Sequence, residues 1–386
     1  MKLKISDKGK QRLLSGHPWV FRSDVVSTLP PQPGIISVLD KSEKFLGQAL
    51  YSPHSQITLR WLTFKDEKID REFWKNRMAS AIGFRSQIPI ASNACRLIYG
   101  EVDGIPSFVV DRYENAISFQ MLSAGLETQR ECLIDLLHEI VKPELIVERN
   151  DVSVRKLEQL PLCQQILFGT GASQVEIWEE NLKFEVDLLE GQKTGAFLDQ
   201  RENRIKAGFF SKNSKRILDV FSYEGWFACH FAQNANEVIA VEQSERAVQK
   251  IKLNAEKNKF KNISVISENA FDVLKKLDAQ KEKFDLINLD PPAFAKSASQ
   301  IKQALNGYKE IHLRAMRLLR KDGILITSSC SHHLSEDAML KVIVDAAKDA
   351  KRTIQIFGMG AQSADHPILP RFPESKYLKC FFLRVW

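Results

Sequence analysis

The apolar and polar positions of the chain divide it into three sections. Residues 1–68 contain four short apolar segments separated by Pro- and Gly-rich connections: GHPWVF (16–21), GIISVLD (34–40), FLGQALYS (45–52) and ITLRWL (57–62). Short strands at this spacing are typical of a small β-barrel or sandwich. We therefore predict a small β-barrel domain over residues 1–68.

The middle section, residues 69–188, shows both strand and helix periodicity. The segments FVVDRY and AISFQML flank residues 114–115, which predicts a β-hairpin. In residues 127–141 apolar positions recur every four residues, which predicts a helix whose buried face holds Cys132, Leu136 and Ile140. Further strand patterns follow, so we predict an α+β middle domain.

Beyond residue 205, apolar strands alternate with amphipathic helices in a regular order. The strand patterns include RILDVF, EVIAVEQ, FDLINLD and GILITSSC. Nearly continuous apolar strands between helices are typical of a parallel sheet that is covered on both faces. The short Pro-rich link before CFFLRVW indicates an antiparallel last strand. The fold class is therefore α/β, with a C-terminal doubly wound Rossmann-like domain over residues 189–386.

Composition places this chain among ordinary soluble proteins. Apolar residues make up 44% and charged residues 27% of the 386 positions. No apolar run approaches the roughly 18 residues that a membrane helix needs, and the first residues lack a secretory signal pattern. The six cysteines are scattered, which favours reduced thiols over disulfides or a zinc site. We expect a cytoplasmic protein with neither a membrane nor a metal partner. The net charge of +7 suits a polyanionic partner without requiring one.

In doubly wound sheets ligands bind at the carboxyl ends of the strands. The first strand ends in DVFSYEGWF (219–227), which lacks the G-x-G-x-x-G of dinucleotide-binding enzymes. Gly225 allows the backbone to turn closely beneath a ligand. The second strand ends at Glu242, where a carboxylate can accept hydrogen bonds from ribose hydroxyls. Asn269 and Ala270 follow the third strand and form a polar-small pair suited to an adenine edge.

The fourth strand ends in Asp290, Pro291 and Pro292. Proline has no N–H and a fixed φ, so the backbone leaves the sheet with its carbonyls free. Asp290 and these carbonyls could hold a planar amine-bearing base, with Phe294 stacked on its face. The alternative is a simple strand stop with a buried, capped aspartate.

The fifth strand ends in TSSCSHH, which places Cys330 at the same edge. A thiol beside a held pyrimidine suggests covalent catalysis, because Cys is a strong nucleophile. The alternative is a small core residue. We expect the other five cysteines to be packing residues, and His332 and His333 to begin the following loop.

These motifs resemble those of the bacterial S-adenosylmethionine-dependent 23S rRNA cytosine-5 methyltransferases with an N-terminal PUA domain. The resemblance covers the whole chain and rests on GHPWVF, EVDGIPSFVVDRY (101–113), GQKTGAFLDQREN (191–203), DVFSYEGWF, DPPAF and SSCS. It implies an RNA-binding PUA domain, a 23S rRNA substrate, Cys330 as nucleophile and Asp290 as its catalytic partner. It also implies an S-adenosylmethionine pocket lined by Phe197, Gln200, Arg201, Asp219, Phe221, Ser222, Tyr223, Gly225, Glu242, Asn269, Ala270 and Asp290.

Some positions depart from the family pattern, and other functions stay open. Glu224 and Trp226 stand where the family commonly has Thr and Gly, which would crowd the cofactor turn, and Asn269 replaces a usual Asp. In the barrel, Arg22, Arg60 and Trp61 could contact RNA or belong to the core. An exocyclic-amine methyltransferase acting on guanine or adenine would also use D-P-P with an aromatic residue, but would need no thiol. The other alternative is a non-catalytic RNA-binding assembly factor. A homodimer is left open.

Overall fold

The computed structural model describes residues 2–294, 300–331 and 334–386, so His332 and His333 lie outside the described residues. The chain forms two compact units. The first comprises Met1–Ile177, Glu185–Leu198 and Ala364–Ser375, and the second comprises Trp178–Phe184, Asp199–Ser363 and Lys376–Trp386. Most of the two sections predicted over residues 1–188 falls in the first unit. The three-domain division stays a prediction.

The N-terminal part of the first unit is a five-stranded sheet with the order β1-β3-β4-β5-β2. Its elements are β1 (Lys2–Lys4), α1 (Asp7–Leu14), β2 (Trp19–Phe21), β3 (Gly34–Leu39), β4 (Phe45–Tyr51) and β5 (Ile57–Thr63). The four predicted strands are present, whereas β1 and α1 were not predicted. The interior is apolar because alternate strand positions such as Val20, Val38 and Leu59 are buried.

The second sheet of this unit has the order β10-β9-β8-β7-β6. Its elements are α2 (Arg71–Arg85), β6 (Ala94–Tyr99), β7 (Phe108–Tyr113), β8 (Ala116–Met121), α3 (Ala124–Glu127), α4 (Arg130–Val141), β9 (Leu145–Arg149), α5 (Val154–Leu157) and β10 (Gln164–Phe168). Tyr113 pairs with Ala116, which confirms the hairpin at 114–115. The predicted helix is present as α4, which buries Leu133, Leu136 and Leu137, while Cys132 and Ile140 are partly buried against the same core. A two-stranded sheet of β11 (Gln174–Glu179) and β12 (Leu182–Asp187) follows.

The second unit contains a seven-stranded sheet with the order β15-β14-β13-β16-β17-β19-β18. The strands are β13 (Arg216–Val220), β14 (Glu237–Val241), β15 (Ile263–Ile266), β16 (Phe284–Leu289), β17 (Leu319–Ser329), β18 (Ile354–Gly360) and β19 (Lys379–Val385). The first five are parallel. Strand β19 is antiparallel to both of its neighbours, which confirms the predicted antiparallel last strand.

Helices cover both faces of this sheet. They are α6 (Arg201–Phe210), α7 (Trp226–Ala232), α8 (Glu245–Lys257), α9 (Ala270–Ala279), α10 (Ile301–Leu318) and α11 (Glu336–Ala350). One apolar cluster joins the sheet to α9, α10 and α11, and another joins it to α6, α7 and α8. The predicted doubly wound domain is confirmed. No helix among the described residues is long and apolar enough to cross a membrane.

Candidate active site

The carboxyl ends of four neighbouring strands of the second unit lie at one edge of the sheet. Val220 pairs with Val241 and with Leu289, and Leu289 pairs with Thr327. The chain positions just beyond these pairs include Phe221, Glu242 and Asp290, while Cys330 follows the end of β17. The edge predicted from the strand order therefore exists.

The turn after β13 has an unusual backbone. Phe221, Tyr223 and Gly225 have φ values of 63°, 49° and 78°, in the left-handed region. Bulky residues rarely adopt this region, and such strain is concentrated at functional sites. At Gly225 a Cβ atom would lie 3.0 Å from Cγ2 of Ile251. Glycine is therefore required where the turn passes over α8.

Asp219 lies beneath this turn. Its side chain is fully buried, Asn288 Nδ2 donates to its Oδ1 at 2.8 Å and Ser222 Oγ donates to its Oδ2 at 2.5 Å. Burial raises the pKa of Asp219 to about 6. Both carboxylate oxygens accept hydrogen bonds from protein groups, so this residue fixes the turn from below. Asn288 was not predicted from the sequence, because it occupies an ordinary strand position.

Glu242 supports the same turn from the neighbouring strand. Its two carboxylate oxygens accept hydrogen bonds from the backbone N–H groups of Tyr223 at 3.0 Å and Ser244 at 2.9 Å. The side chain is half-buried, and each oxygen has a second lone pair for a ligand. The geometry is compatible with the predicted ribose contact, which stays a prediction.

Asn269 is the N-cap residue of α9. Its Oδ1 accepts a hydrogen bond from Phe271 N at 2.9 Å, and its Nδ2 donates to Gln243 Oε1 at 3.1 Å. This capping satisfies a free N–H at the start of the helix. Ala270 is buried in the core. The role of this pair at an adenine edge stays a prediction.

Trp226, one of the departures from the family pattern, packs against other elements. Its ring stacks on Phe184 with centroids 4.4 Å apart, and the Arg204 guanidinium carbon lies 4.8 Å from the ring centroid. Glu224 is buried, and its backbone oxygen accepts a hydrogen bond from Asn254 Nδ2 at 2.9 Å. The Trp226 ring fills space between β12 and α6, and the expected crowding of the cofactor turn stays a prediction.

Asp290 is half-buried at the end of β16. Gln200 Nε2 donates to its Oδ1 at 2.9 Å, and Asn203 Nδ2 in turn donates to Gln200 Oε1 at 2.7 Å. Burial raises the pKa of Asp290 to about 7, and the negative charges of Asp199 and Asp219 act in the same direction. A carboxyl group with this pKa can hold or release a proton near neutral pH.

The residues around Asp290 differ in exposure. Pro291 is buried, and Pro292 is exposed. Arg201 is fully buried, and its Nη2 atom lies 3.3 Å from Glu202 Oε1. Phe197 belongs to the first unit, where the Lys193 amine lies 4.7 Å from its ring centroid. The substrate or cofactor roles of these residues stay predictions.

Phe294 belongs to a group of aromatic rings beside Asp290. Its ring centroid lies 4.7 Å from that of Tyr308, 5.8 Å from Phe271 and 6.2 Å from Phe221. Tyr308 and Phe271 come from α10 and α9, and their part in this group was not predicted. The group forms an apolar wall with partly exposed rings, which is a suitable surface for a planar base.

Cys330 is half-buried, unlike Cys95, Cys229 and Cys380. Its chain neighbours are held in place, because Ser329 Oγ hydrogen-bonds to Tyr308 Oη at 2.9 Å and accepts from Ser331 N at 3.3 Å. Burial raises the pKa of the Tyr308 phenol, and the charges of Cys330 and Asp290 raise it further. One phenol thus interacts electrostatically with both side chains.

A buried histidine supports Tyr308 from below. His312 Nδ1 donates to the backbone carbonyl oxygen of Tyr308 at 2.6 Å, and its Nε2 hydrogen-bonds with Thr327 Oγ1 at 2.8 Å. Burial lowers the pKa of His312 to about 4, so the imidazole is neutral at neutral pH. His312 thus links α10 by a hydrogen bond to Thr327 of β17, three residues before Cys330.

The two longest signature segments meet within the first unit. Arg96 forms a double hydrogen bond with Asp111, at 2.9 and 2.8 Å, and Thr194 Oγ1 also donates to Asp111. Tyr113 Oη accepts from Ala196 N at 3.0 Å. EVDGIPSFVVDRY and GQKTGAF are therefore joined by buried hydrogen bonds, a structural role that their sequence does not reveal.

The barrel residues predicted to contact RNA are not all accessible. Arg60 is buried, and its Nη2 atom donates to Glu158 Oε1 at 2.8 Å. Trp61 is also buried, whereas Arg22 is exposed and donates to the Pro53 oxygen at 2.7 Å. Of the two possibilities that the sequence left open, the structure favours the core for Arg60 and Trp61, because both are buried.

Comparison with known proteins agrees with this architecture. Residues 3–64 match a family model described as a PUA-like domain, and residues 211–369 match one described as a methyltransferase domain. A candidate methyltransferase solved in complex with SAH superposes with a TM-score of 0.87 at 20% identity, with both chains covered completely. A SAM-dependent methyltransferase from Agrobacterium tumefaciens gives a TM-score of 0.55 at 14% identity, over 76% of this chain and 90% of that one. These likenesses confirm the fold.

Similarity to curated relatives extends along nearly the whole chain. Ribosomal RNA large subunit methyltransferase I from Yersinia pestis bv. Antiqua (strain Angola) is 40% identical over 392 aligned positions, covering 99% of this chain and 98% of the relative. The protein of the same name from Yersinia pseudotuberculosis serotype O:1b (strain IP 31758) gives the same figures. At this identity and coverage, the chain belongs to the ribosomal RNA large subunit methyltransferase I family.

Proposed function

We propose that this protein methylates C5 of a cytosine in 23S rRNA, using S-adenosylmethionine and a covalent adduct with Cys330. The main support is the position of Asp290 and Cys330, which follow neighbouring strands and both interact electrostatically with Tyr308. The thiol is half-buried at the ligand edge of the sheet. Family membership supports an rRNA substrate, and the base and the covalent route rest on these two side chains.

The cofactor fits the turn after β13. The left-handed residues Phe221, Tyr223 and Gly225 bend the backbone into a close approach, and Glu242 retains acceptor capacity for a ribose. Bound S-adenosylmethionine would supply an electrophilic methyl group on a sulfonium. Ser222, Asp219, Asn269 and Ala270 surround or support this turn. By resemblance, Gln200 and Arg201 would also contribute.

The protein groups would act on the cytosine in a defined order. The Cys330 thiolate adds to C6, which breaks the C5–C6 π bond and leaves C5 electron-rich. Asp290, which has a pKa of about 7, donates or shares a proton at N3 and so stabilises the adduct. C5 would then form the new bond to the methyl carbon as the bond from that carbon to the sulfonium sulfur breaks, with its electron pair left on the sulfur. Loss of the C5 proton to a base then restores the C5–C6 double bond and expels the thiolate, and N3 returns its proton to Asp290.

The base must leave any duplex to reach this pocket. Flipping a nucleotide out of a stack costs a few kcal/mol, and less where the base is already unpaired. Phe294 and its aromatic neighbours would recover part of this cost by stacking, at about 1–3 kcal/mol per base. Pro291 and Pro292 would present carbonyls to the edge of the base.

The Cys330→Ala variant tests the covalent route. We expect methyl transfer to 23S rRNA from cells lacking this gene to fall by about 1,000-fold or more, because the nucleophile is removed, while S-adenosylmethionine binding measured by calorimetry is retained. Cys132→Ala, at a half-buried thiol on α4, is the matched control and should stay active. Wild-type protein with RNA containing 5-fluorocytosine should form a complex that survives denaturing electrophoresis, since fluorine cannot leave as a proton does.

The same experiment separates the alternatives. Near-normal methylation by Cys330→Ala, with the product on an exocyclic amine, would favour the guanine or adenine enzyme. Absence of S-adenosylmethionine binding by the wild-type protein would favour a non-catalytic RNA-binding factor. The homodimer stays a prediction, and no group of His, Cys, Asp or Glu suited to a metal ion occurs among the described residues.

A further inference from the structure

Lys379 is a buried lysine that lies next to the strand end before Cys330. It begins β19, where it pairs with Ser329 of β17, and only 7% of its surface is exposed. Burying an ammonium group is costly unless hydrogen bonds or opposite charges compensate for the lost water. A lysine at this position therefore requires a physical explanation, and neither the sequence pattern nor the proposed mechanism so far gives one.

The Lys379 amine holds the loop that contains the thiol. Its Nζ donates to the backbone oxygens of Ser331 and Leu334, both at 2.7 Å. Ser331 N in turn donates to Ser329 Oγ, which fixes the other side of Cys330. The ammonium thus binds the backbone one residue beyond the thiol, at Ser331, and again at Leu334.

The positive charge of Lys379 is only partly compensated by the charges of its neighbours. Glu336 of α11 attracts the ammonium, but it forms an ion pair with Lys376 at 3.0 Å. Burial lowers the pKa of Lys379 to about 8, and the charge of Cys330 opposes that shift. Tyr308 on α10 interacts electrostatically with Cys330, and a phenol is neutral or negatively charged. Lys379 is a cation that interacts with Cys330 and also binds the backbone beside it.

We propose that Lys379 is a positioning residue that stabilises the Cys330 thiolate by its positive charge and by holding the backbone at Ser331 and Leu334. The proposal rests on the proposed function, because a thiolate is useful here only if Cys330 attacks the base. Since the ammonium is adjacent and partly desolvated, its field acts on the thiol through a medium of lower dielectric than water. Lys379 touches no reacting atom in this scheme.

The test measures Cys330 alkylation by iodoacetamide as a function of pH, without cofactor or RNA, in the full-length chain. Peptide mapping by mass spectrometry separates Cys330 from the other five cysteines. Lys379→Gln keeps an N–H donor and removes the charge, so we expect the alkylation midpoint to rise by about one pH unit and the rate at pH 7 to fall about tenfold. Lys379→Arg should stay near the wild-type midpoint. Lys283→Met removes an exposed amine that also donates to a backbone oxygen, and should change nothing.

The outcomes decide the proposal. A wild-type midpoint in Lys379→Gln, with the fold intact by circular dichroism, would overturn it and leave Lys379 a structural role. An equal shift in Lys283→Met would overturn it too, because the effect would then not be local. If Lys379→Gln does not fold, Lys379→Met, which also removes the charge, is measured in the same way: a raised midpoint supports the proposal, and a wild-type midpoint overturns it. Since Cys330→Ala activity is measured separately, failure of the covalent mechanism would remain distinguishable.

Discussion

Replacing Asp290 with Asn should stabilise the protein increasingly as the pH rises, while removing its activity. Burial and two nearby carboxylates raise the pKa of Asp290 from 3.8 to about 7. The native state therefore keeps a proton that the unfolded chain has lost, and the stability of the wild type falls as pH rises from the unfolded pKa through the folded one. Asn is neutral at every pH, and its Oδ1 can still accept the hydrogen bond from Gln200.

The size of this effect follows from the two pKa values. At one pKa unit per 1.36 kcal/mol, the raised pKa of Asp290 lowers the free energy of unfolding of the wild type by about 2 kcal/mol at pH 5 and about 4 kcal/mol at pH 8. Because residue 290 keeps partial exposure, water lowers part of this cost. We expect the Asn variant to gain about 1–2 kcal/mol more over the wild type at pH 8 than at pH 5.

The assay is urea unfolding of the wild type and Asp290→Asn at both pH values, with the slope against urea compared to verify that the same transition is observed. Asp272→Asn, at an exposed carboxylate on α9, is the control and should show no pH-dependent gain. An unchanged difference between pH 5 and pH 8 would mean that Asp290 is ionised in the native protein. The proton-donor role would then lose its physical basis.

Two further predictions concern the turn and the buried charges of the second unit. Gly225→Ala should weaken S-adenosylmethionine binding, measured by calorimetry, by about tenfold. A left-handed φ costs a residue with a Cβ about 1–2 kcal/mol, and the new atom would contact Ile251. The control is Gly83→Ala on α2, where a Cβ meets nothing within 4 Å, and it should leave binding unchanged. Arg204→Met should lower the free energy of unfolding by about 3–5 kcal/mol, because the buried Glu179, whose pKa is about 2, loses its double hydrogen bond. The double variant with Glu179→Met should recover most of that loss, and equal instability of both variants would contradict the account.

The regular elements were predictable where their buried faces are apolar. The alternation after residue 205 gave the strands and most helices of the second unit, because parallel strands covered on both faces must be apolar throughout. Helix α6 was missed for the opposite reason. It buries Arg201, Asn203 and Arg204, and a helix with a charged buried face has no hydrophobic period to detect. Glu179 compensates Arg204 from a distant strand, which local sequence cannot show.

The strand-end residues of the candidate site were predictable because topology alone brings them together. Parallel strands place their carboxyl ends at one edge, so Phe221, Glu242, Asp290 and Cys330 were identified without contact information. The structure adds what holds these residues. Asn288 beneath Asp219 and His312 beneath Tyr308 are polar side chains within elements whose patterns indicated only core packing.

Lys379 shows why the side chains that hold the strand-end residues could not be predicted. In YLKCFFLRVW, a lysine at the start of a strand is typical of a solvated edge position, yet β19 lies between β17 and β18 and buries it. The antiparallel register with Ser329 brings its amine to the loop after Cys330, and that register depends on the whole 330–378 connection. A sequence pattern can therefore indicate which thiol is at the ligand edge, whereas the charge that acts on that thiol follows only from the order of the strands.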